Sequence, residues 1–114
     1  MSYLRTVNLE DGRPTASQAI KRLTFELHHT KRLGASAVKL IHGYGSSGSG
    51  GRIRIEARAY LEREMRKGIV KAIIPGESFS IFDERTRKAL DVCGELRKDS
   101  DLDRHNNGIT IVLV

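Results

Sequence analysis

The stretch Ala37-Val38-Lys39-Leu40-Ile41-His42-Gly43-Tyr44-Gly45-Ser46-Ser47-Gly48-Ser49-Gly50-Gly51-Arg52-Ile53-Arg54 decides the fold. Its first five residues read as a short buried strand. From His42 to Arg52 the chain places five of its 11 glycines, so this loop is built for close backbone approach or unusual dihedrals. A helix then begins at about Gly51 to Ile53. Ile53, Ala57, Tyr60, Leu61 and Met65 give its inner face, and Gly68 stops it.

Working outward, Tyr3 to Leu9 alternates as a first strand. After the turn-rich Glu10-Asp11-Gly12-Arg13, Pro14 suits a first helical position. Ala16, Ala19, Ile20, Leu23 and Leu27 fall at helical spacing, and Gly34 closes that helix with Lys31 and Arg32 near its negative end. Downstream, Ile69 to Ile74 reads as a third strand ended by Pro75-Gly76, and Ser78 to Phe82 as a short, weakly alternating extra one. Asp83 caps a third helix with Thr86, Ala89, Leu90, Cys93 and Leu96 on its inner stripe. A polar loop, Ser100 to Gly108, leads to a β-branched closing strand, Ile109 to Val114. The order β-α-β-α-β, a helical excursion, then β, predicts an α/β chain with a mixed sheet and packed helices. With 114 residues, no internal repeat and no long linker, 1–114 is expected to be a single domain.

Charge is unevenly placed. The chain carries 20 Lys and Arg against 14 Asp and Glu, a net charge of +6. Residues 1–54 hold nine basic and three acidic residues, and 55–114 hold eleven of each. The whole excess lies in the first half, which points to an anionic partner such as nucleic acid, or else serves solubility alone. No apolar run approaches the roughly 18–20 residues of a membrane span, so no membrane partner is expected. The lone Cys93 excludes an internal disulfide and a cysteine zinc cluster and suits a reducing cytoplasm. It is expected to be buried and inert. His28-His29 are adjacent on a helix, point apart, and make no metal pair.

The glycine loop admits three readings. Gly43-Tyr44-Gly45-Ser46-Ser47-Gly48 formally matches GxGxxG, but a two-half dinucleotide fold needs more chain than this. The Walker pattern fails, because Gly50 is followed by Gly51 and Arg52. The third reading is a phosphate-backbone site. Free N–H groups at a helix start favour anions, and Arg52 and Arg54 in the first turn add positive charge that opposes the helix dipole unless an anion binds. The bland alternative is a loop with incidental charge. His42, at the strand end, donates to phosphate, acts as acid or base, or caps the loop. Tyr44 either stacks on a splayed base or packs back on the helix.

The strand, the His42-Gly43-Tyr44-Gly45 motif, the Gly/Ser loop and the Arg-bearing helix together resemble the Smr (small MutS-related) domain, in which an HGxG motif follows the second strand. Val38 to Ile41 matches that family's apolar strand, Gly51 to Arg54 its helix start, and Asn107 to Leu113 its Gly-led closing strand. The resemblance covers most of 3–75 and 106–114. It implies an α+β sandwich with a mixed four-stranded sheet, two core helices and here one extra helix, similar to the C-terminal domain of translation initiation factor three. It implies binding to branched DNA or to RNA, in DNA repair and recombination or RNA quality control, with endonuclease activity in several members.

Two departures matter. The family usually carries Leu-Asp-x-His at the end of strand one, where this chain has Val7-Asn8-Leu9-Glu10. The second is residues 77–105, with their extra helix, expected to cover a sheet edge or to dock a protein partner. The expected binding surface is Gly43, Tyr44, Gly45, Ser46, Ser47, Gly48, Ser49, Gly50, Gly51, Arg52 and Arg54. The alternative, an endonuclease, would use His42 with Asn8 or Glu10 as catalytic residues. No cofactor or protein-bound metal is otherwise expected, save Mg2+ or Mn2+ if the chain is a nuclease.

Overall fold

The computed structural model describes residues 3–44 and 50–114. The elements run β1 (Leu4–Asn8), α1 (Ala16–Arg32), β2 (Ala37–Ile41), α2 (Gly50–Arg66), β3 (Ala72–Pro75), α3 (Glu84–Val92) and β4 (Ile109–Leu113). Short 3-10 turns at Gly76–Ser78 and Gly94–Lys98 flank α3. The strands form one sheet in the order β1-β2-β4-β3. β1 is parallel to β2, and β4 is antiparallel to both β2 and β3. The helical crossovers explain this: each carries the chain back so that the next strand points the same way. β1, β2 and β3 therefore all end at one edge of the sheet, and β4 starts there.

α1 and α3 start where the sequence supplies a cap. Thr15 accepts from the Gln18 amide at 3.2 Å, and Gln18 Oε1 accepts from the Thr15 amide at 2.9 Å, a reciprocal capping box. Pro14 thus precedes the cap and is not the first helical residue. Asp83 Oδ1 accepts from the Thr86 amide at 3.0 Å and starts α3.

α1 and α2 cover one face of the sheet. Leu9, Leu23, Val38, Leu40, Ile53, Leu61 and Val112 are buried there. Met65, expected inside, is exposed. Glu64 takes that place, held by Tyr60 Oη at 3.2 Å and by Lys67 Nζ at 3.2 Å. The helical face through 53, 57 and 61 continues to 64, so 65 turns outward.

The second face is covered too. Residues 76–105 lie across the sheet itself, not along an edge, and bury Phe79, Ala89, Leu90, Cys93 and Leu96 against Ala37, Ile74, Ile109 and Ile111. A fully buried Phe or Leu is worth roughly 1.5–3 kcal/mol, so this layer is part of the core. Ser78 to Phe82 is not a strand. Phe79 is completely buried, whereas Phe82 is 85% exposed, and the segment turns into the Asp83 cap. The excursion's helix stops at Val92, and Leu96 reaches the core from the 3-10 turn.

Because β2 is sandwiched, its side chain Lys39 enters the second layer and is 7% exposed. Its Nζ meets Asp99 Oδ1 at 2.9 Å and Asp101 Oδ2 at 2.6 Å. Burial alone would push the lysine pKa down. The two carboxylates outweigh it and hold the pKa above the ordinary lysine value.

Candidate nucleic-acid interface

The edge where β1, β2 and β3 end gathers most of the residues singled out by sequence. His42 follows β2 directly and is completely buried. Its amide and that of Gly43 both donate to the Gly108 carbonyl at 3.0 Å, which ties this corner to the start of β4. The ring is held on both sides. Nδ1 lies 2.7 Å from the Gly43 carbonyl, which can only accept, so Nδ1 carries the proton. Nε2 lies 2.8 Å from Thr110 Oγ1 and accepts from that hydroxyl. Thr110 Oγ1 in turn accepts from Arg58 Nε at 3.1 Å. Burial, with the Arg58 and Arg54 charges added, pushes the imidazole pKa down to about 4, so the ring is neutral at pH 7.

Arg58 is occupied by the protein. Its two terminal nitrogens take both Glu77 oxygens at 2.9 and 2.8 Å, and one also donates to the Ile109 carbonyl at 3.2 Å. Burial would raise the Glu77 pKa, but the Arg58 pair more than offsets it and holds the carboxylate below its usual range. Gly76 must be glycine for this link to run so close. A Cβ there would collide with the Asn106 carbonyl and come within 2.7 Å of Ile109.

Two further cations, Arg52 and Arg54, stand in the first turn of α2. The Arg52 side chain is 78% exposed and touches Glu56 at 3.2 Å, a pairing worth little in solvent. Arg54 differs: its Nε is buried and has no hydrogen-bond partner among the described residues. No acid stands in the first turn of α2. Tyr44 is 57% exposed, with its ring edge beside Gly108. Gly43 adopts φ +72°, and a Cβ there would come within 2.6 Å of the Glu10 carboxylate.

This arrangement of strands and helices is similar to the Smr domain of Thermus thermophilus MutS2. The two share a TM-score of 0.57 over 96% of this chain and 95% of that one, at 22% sequence identity. The fold is that of an Smr domain. No protein-family model matches the chain, and no curated protein matches it by sequence.

On the Smr fold the expected residues are distributed as follows. His42, Gly43, Tyr44, Asn8 and Glu10 share the strand-end corner, and Gly50, Gly51, Arg52 and Arg54 begin α2. Gly45, Ser46, Ser47, Gly48 and Ser49 lie outside the described residues. Asn8 turns back on its own loop, where Oδ1 accepts from the Glu10 amide at 2.9 Å. Glu77 is given over to Arg58, and Glu10 lies over Gly43. Among the described residues no group of three His, Cys, Asp or Glu is placed to hold a metal ion, and no helix is long and apolar enough to cross a membrane.

Sequence reasoning missed Arg58, Glu77 and Thr110. A signal existed for two of them. Arg58 stands one helical turn after Arg54, and Thr110 is the polar position in an otherwise aliphatic closing strand.

Proposed function

We propose that this chain binds nucleic acid by its phosphates, at the corner where β2 passes into α2. The observation that carries this reading is the Arg54 Nε, a buried donor with no partner among the described residues, beside the exposed Arg52. A buried unpaired donor is costly unless something completes it. A phosphate oxygen suits a guanidinium at a helix start, where dipole and charge act together. The Smr fold agrees with this reading, and Tyr44 offers an exposed ring for a base beside it.

The reading assigns no hydrolytic step. His42 has both ring nitrogens engaged inside the protein, so it acts here as the residue that positions the corner. Cleavage of branched DNA or of RNA, alone or with Mg2+ or Mn2+, is the competing outcome. It is scored in the same samples.

The test is a titration of a branched DNA and a structured RNA across salt. About three phosphates neutralised at the corner contribute −2 to −3 to the log-log slope. R52A/R54A should weaken binding to every sequence alike and reduce the slope by about 2, since phosphate contacts carry little sequence information. Binding indifferent to salt overturns the reading.

A further inference from the structure

The two outer layers differ in charge. α1 and α2 together carry nine Lys and Arg against four Asp and Glu, whereas residues 76–105 carry six against eight. The sheet separates a basic helical face from an acidic one. Between α1 and α2 the basic face holds a groove of about 310 Å3, lined by Ser17, Ile20, Lys21, Glu56, Ala59 and Arg63.

Each helix contributes one cation to that groove. The Lys21 side chain has no hydrogen bond or ion pair among the described residues. The Arg63 guanidinium rests over the Tyr60 ring at 5.9 Å, with no carboxylate bound to it among the described residues. The groove's carboxylate, Glu56, is the one that Arg52 holds at 3.2 Å, so the corner cation and the groove already touch. Ser17 and Ala59 are small, and Ile20 and Ala59 give an apolar floor. Such a surface accommodates a sugar-phosphate chain, charged on one side and apolar on the other.

We infer that the nucleic-acid backbone bound at the corner continues along the groove between α1 and α2, where Lys21 and Arg63 hold further phosphates. The inference rests on the phosphate-binding reading of the corner and names the track that the partner follows. Nine residues separate Arg54 from Arg63, about 13 Å along a helix axis, or about four base-pair steps of a duplex. The partner is therefore a polymer and not a mononucleotide.

K21A/R63A separates this claim from the first. Both side chains are exposed, and circular dichroism checks that the fold is kept. On a labelled 20-base-pair duplex the variant should lower the salt slope by about 2, so that the loss of affinity between 50 and 200 mM salt shrinks by roughly tenfold. K88A/R97A, on the opposite layer, should leave the slope at the wild-type value. If R52A/R54A weakens binding and K21A/R63A does not, the track is wrong and the corner stands. If K88A/R97A matches K21A/R63A, the effect is net charge, and the track is again wrong. If the wild-type protein binds no nucleic acid, the failure belongs to the corner itself.

Discussion

Thr110 Oγ1 lies 2.8 Å from His42 Nε2 and joins the start of β4 to the end of β2. The same oxygen accepts from Arg58 of α2, and Arg58 continues to Glu77 beyond β3. One hydroxyl thus connects the segments that meet at the end of the parallel strands. The network faces inward. It ties α2 to the ends of β2 and β3 and to the start of β4.

The network has a pH signature. Folded His42 titrates at about 4, against 6.5 for an ordinary histidine. Between those values the unfolded chain takes up a proton that the folded chain refuses. The stabilisation is complete above about pH 6.5 and is lost as pH falls towards 4, by on the order of 3 kcal/mol. Urea unfolding of wild type and His42→Gln at about pH 7.5 and pH 4.5 measures it. The wild-type protein should lose distinctly more than the variant across that interval, and equal losses would refute the assignment.

Thr110→Val keeps shape and burial but removes the shared oxygen. His42 Nε2 then lacks a donor and Arg58 Nε lacks an acceptor, a loss of about 1–3 kcal/mol. Thr110→Ser restores the hydroxyl and should recover most of it. Urea midpoints of the two variants decide the matter. If valine is as stable as serine, the hydroxyl does not bridge the elements.

The sheet and both crossover helices were legible because each rests on local pattern. Ala37 to Ile41 is an apolar run, α1 repeats at helical spacing, and Asp83 marks a helix start. Two features were not legible. Alternation in β2 shows that Lys39 shares a face with Ala37 and Ile41, but nothing local says that Asp99 and Asp101, about sixty positions later, cover that face. Likewise the sequence marks His42 as a chemical residue, yet its role turns on Thr110, 68 positions away. Long-range pairing sets burial, and burial decides whether an imidazole meets solvent or another side chain.

Gly76 tests the close approach behind the Glu77–Arg58 pair. Gly76→Ala forces a methyl group against the Asn106 carbonyl and the Ile109 side chain. Backbone cannot yield as a flexible side chain does, so the change should destabilise by about 1–3 kcal/mol or more. Thermal unfolding reads it directly. An unshifted midpoint would mean that the 76–77 link is not packed against the turn before β4.

The sharpest test of the layer formed by residues 76–105 is Lys39. Lys39→Ala strands Asp99, whose side chain is 9% exposed, and Asp101 beside it, without their cation. Breaking a buried pair from one side costs about 3–5 kcal/mol, because the remaining charge stays desolvated. The triple change K39M/D99N/D101N removes all three charges, keeps the volume, and should recover much of that loss. Both are measured by urea unfolding, with hydrogen exchange at Leu90 and Leu96 reporting whether residues 76–105 loosen before the sheet does. Two results would show that the layer is held by its apolar contacts alone: Lys39→Ala as stable as wild type, or the triple variant no better than Lys39→Ala. The recovery expected here follows from the geometry, since the ammonium reaches Asp99 and Asp101 only where residues 76–105 cross β2.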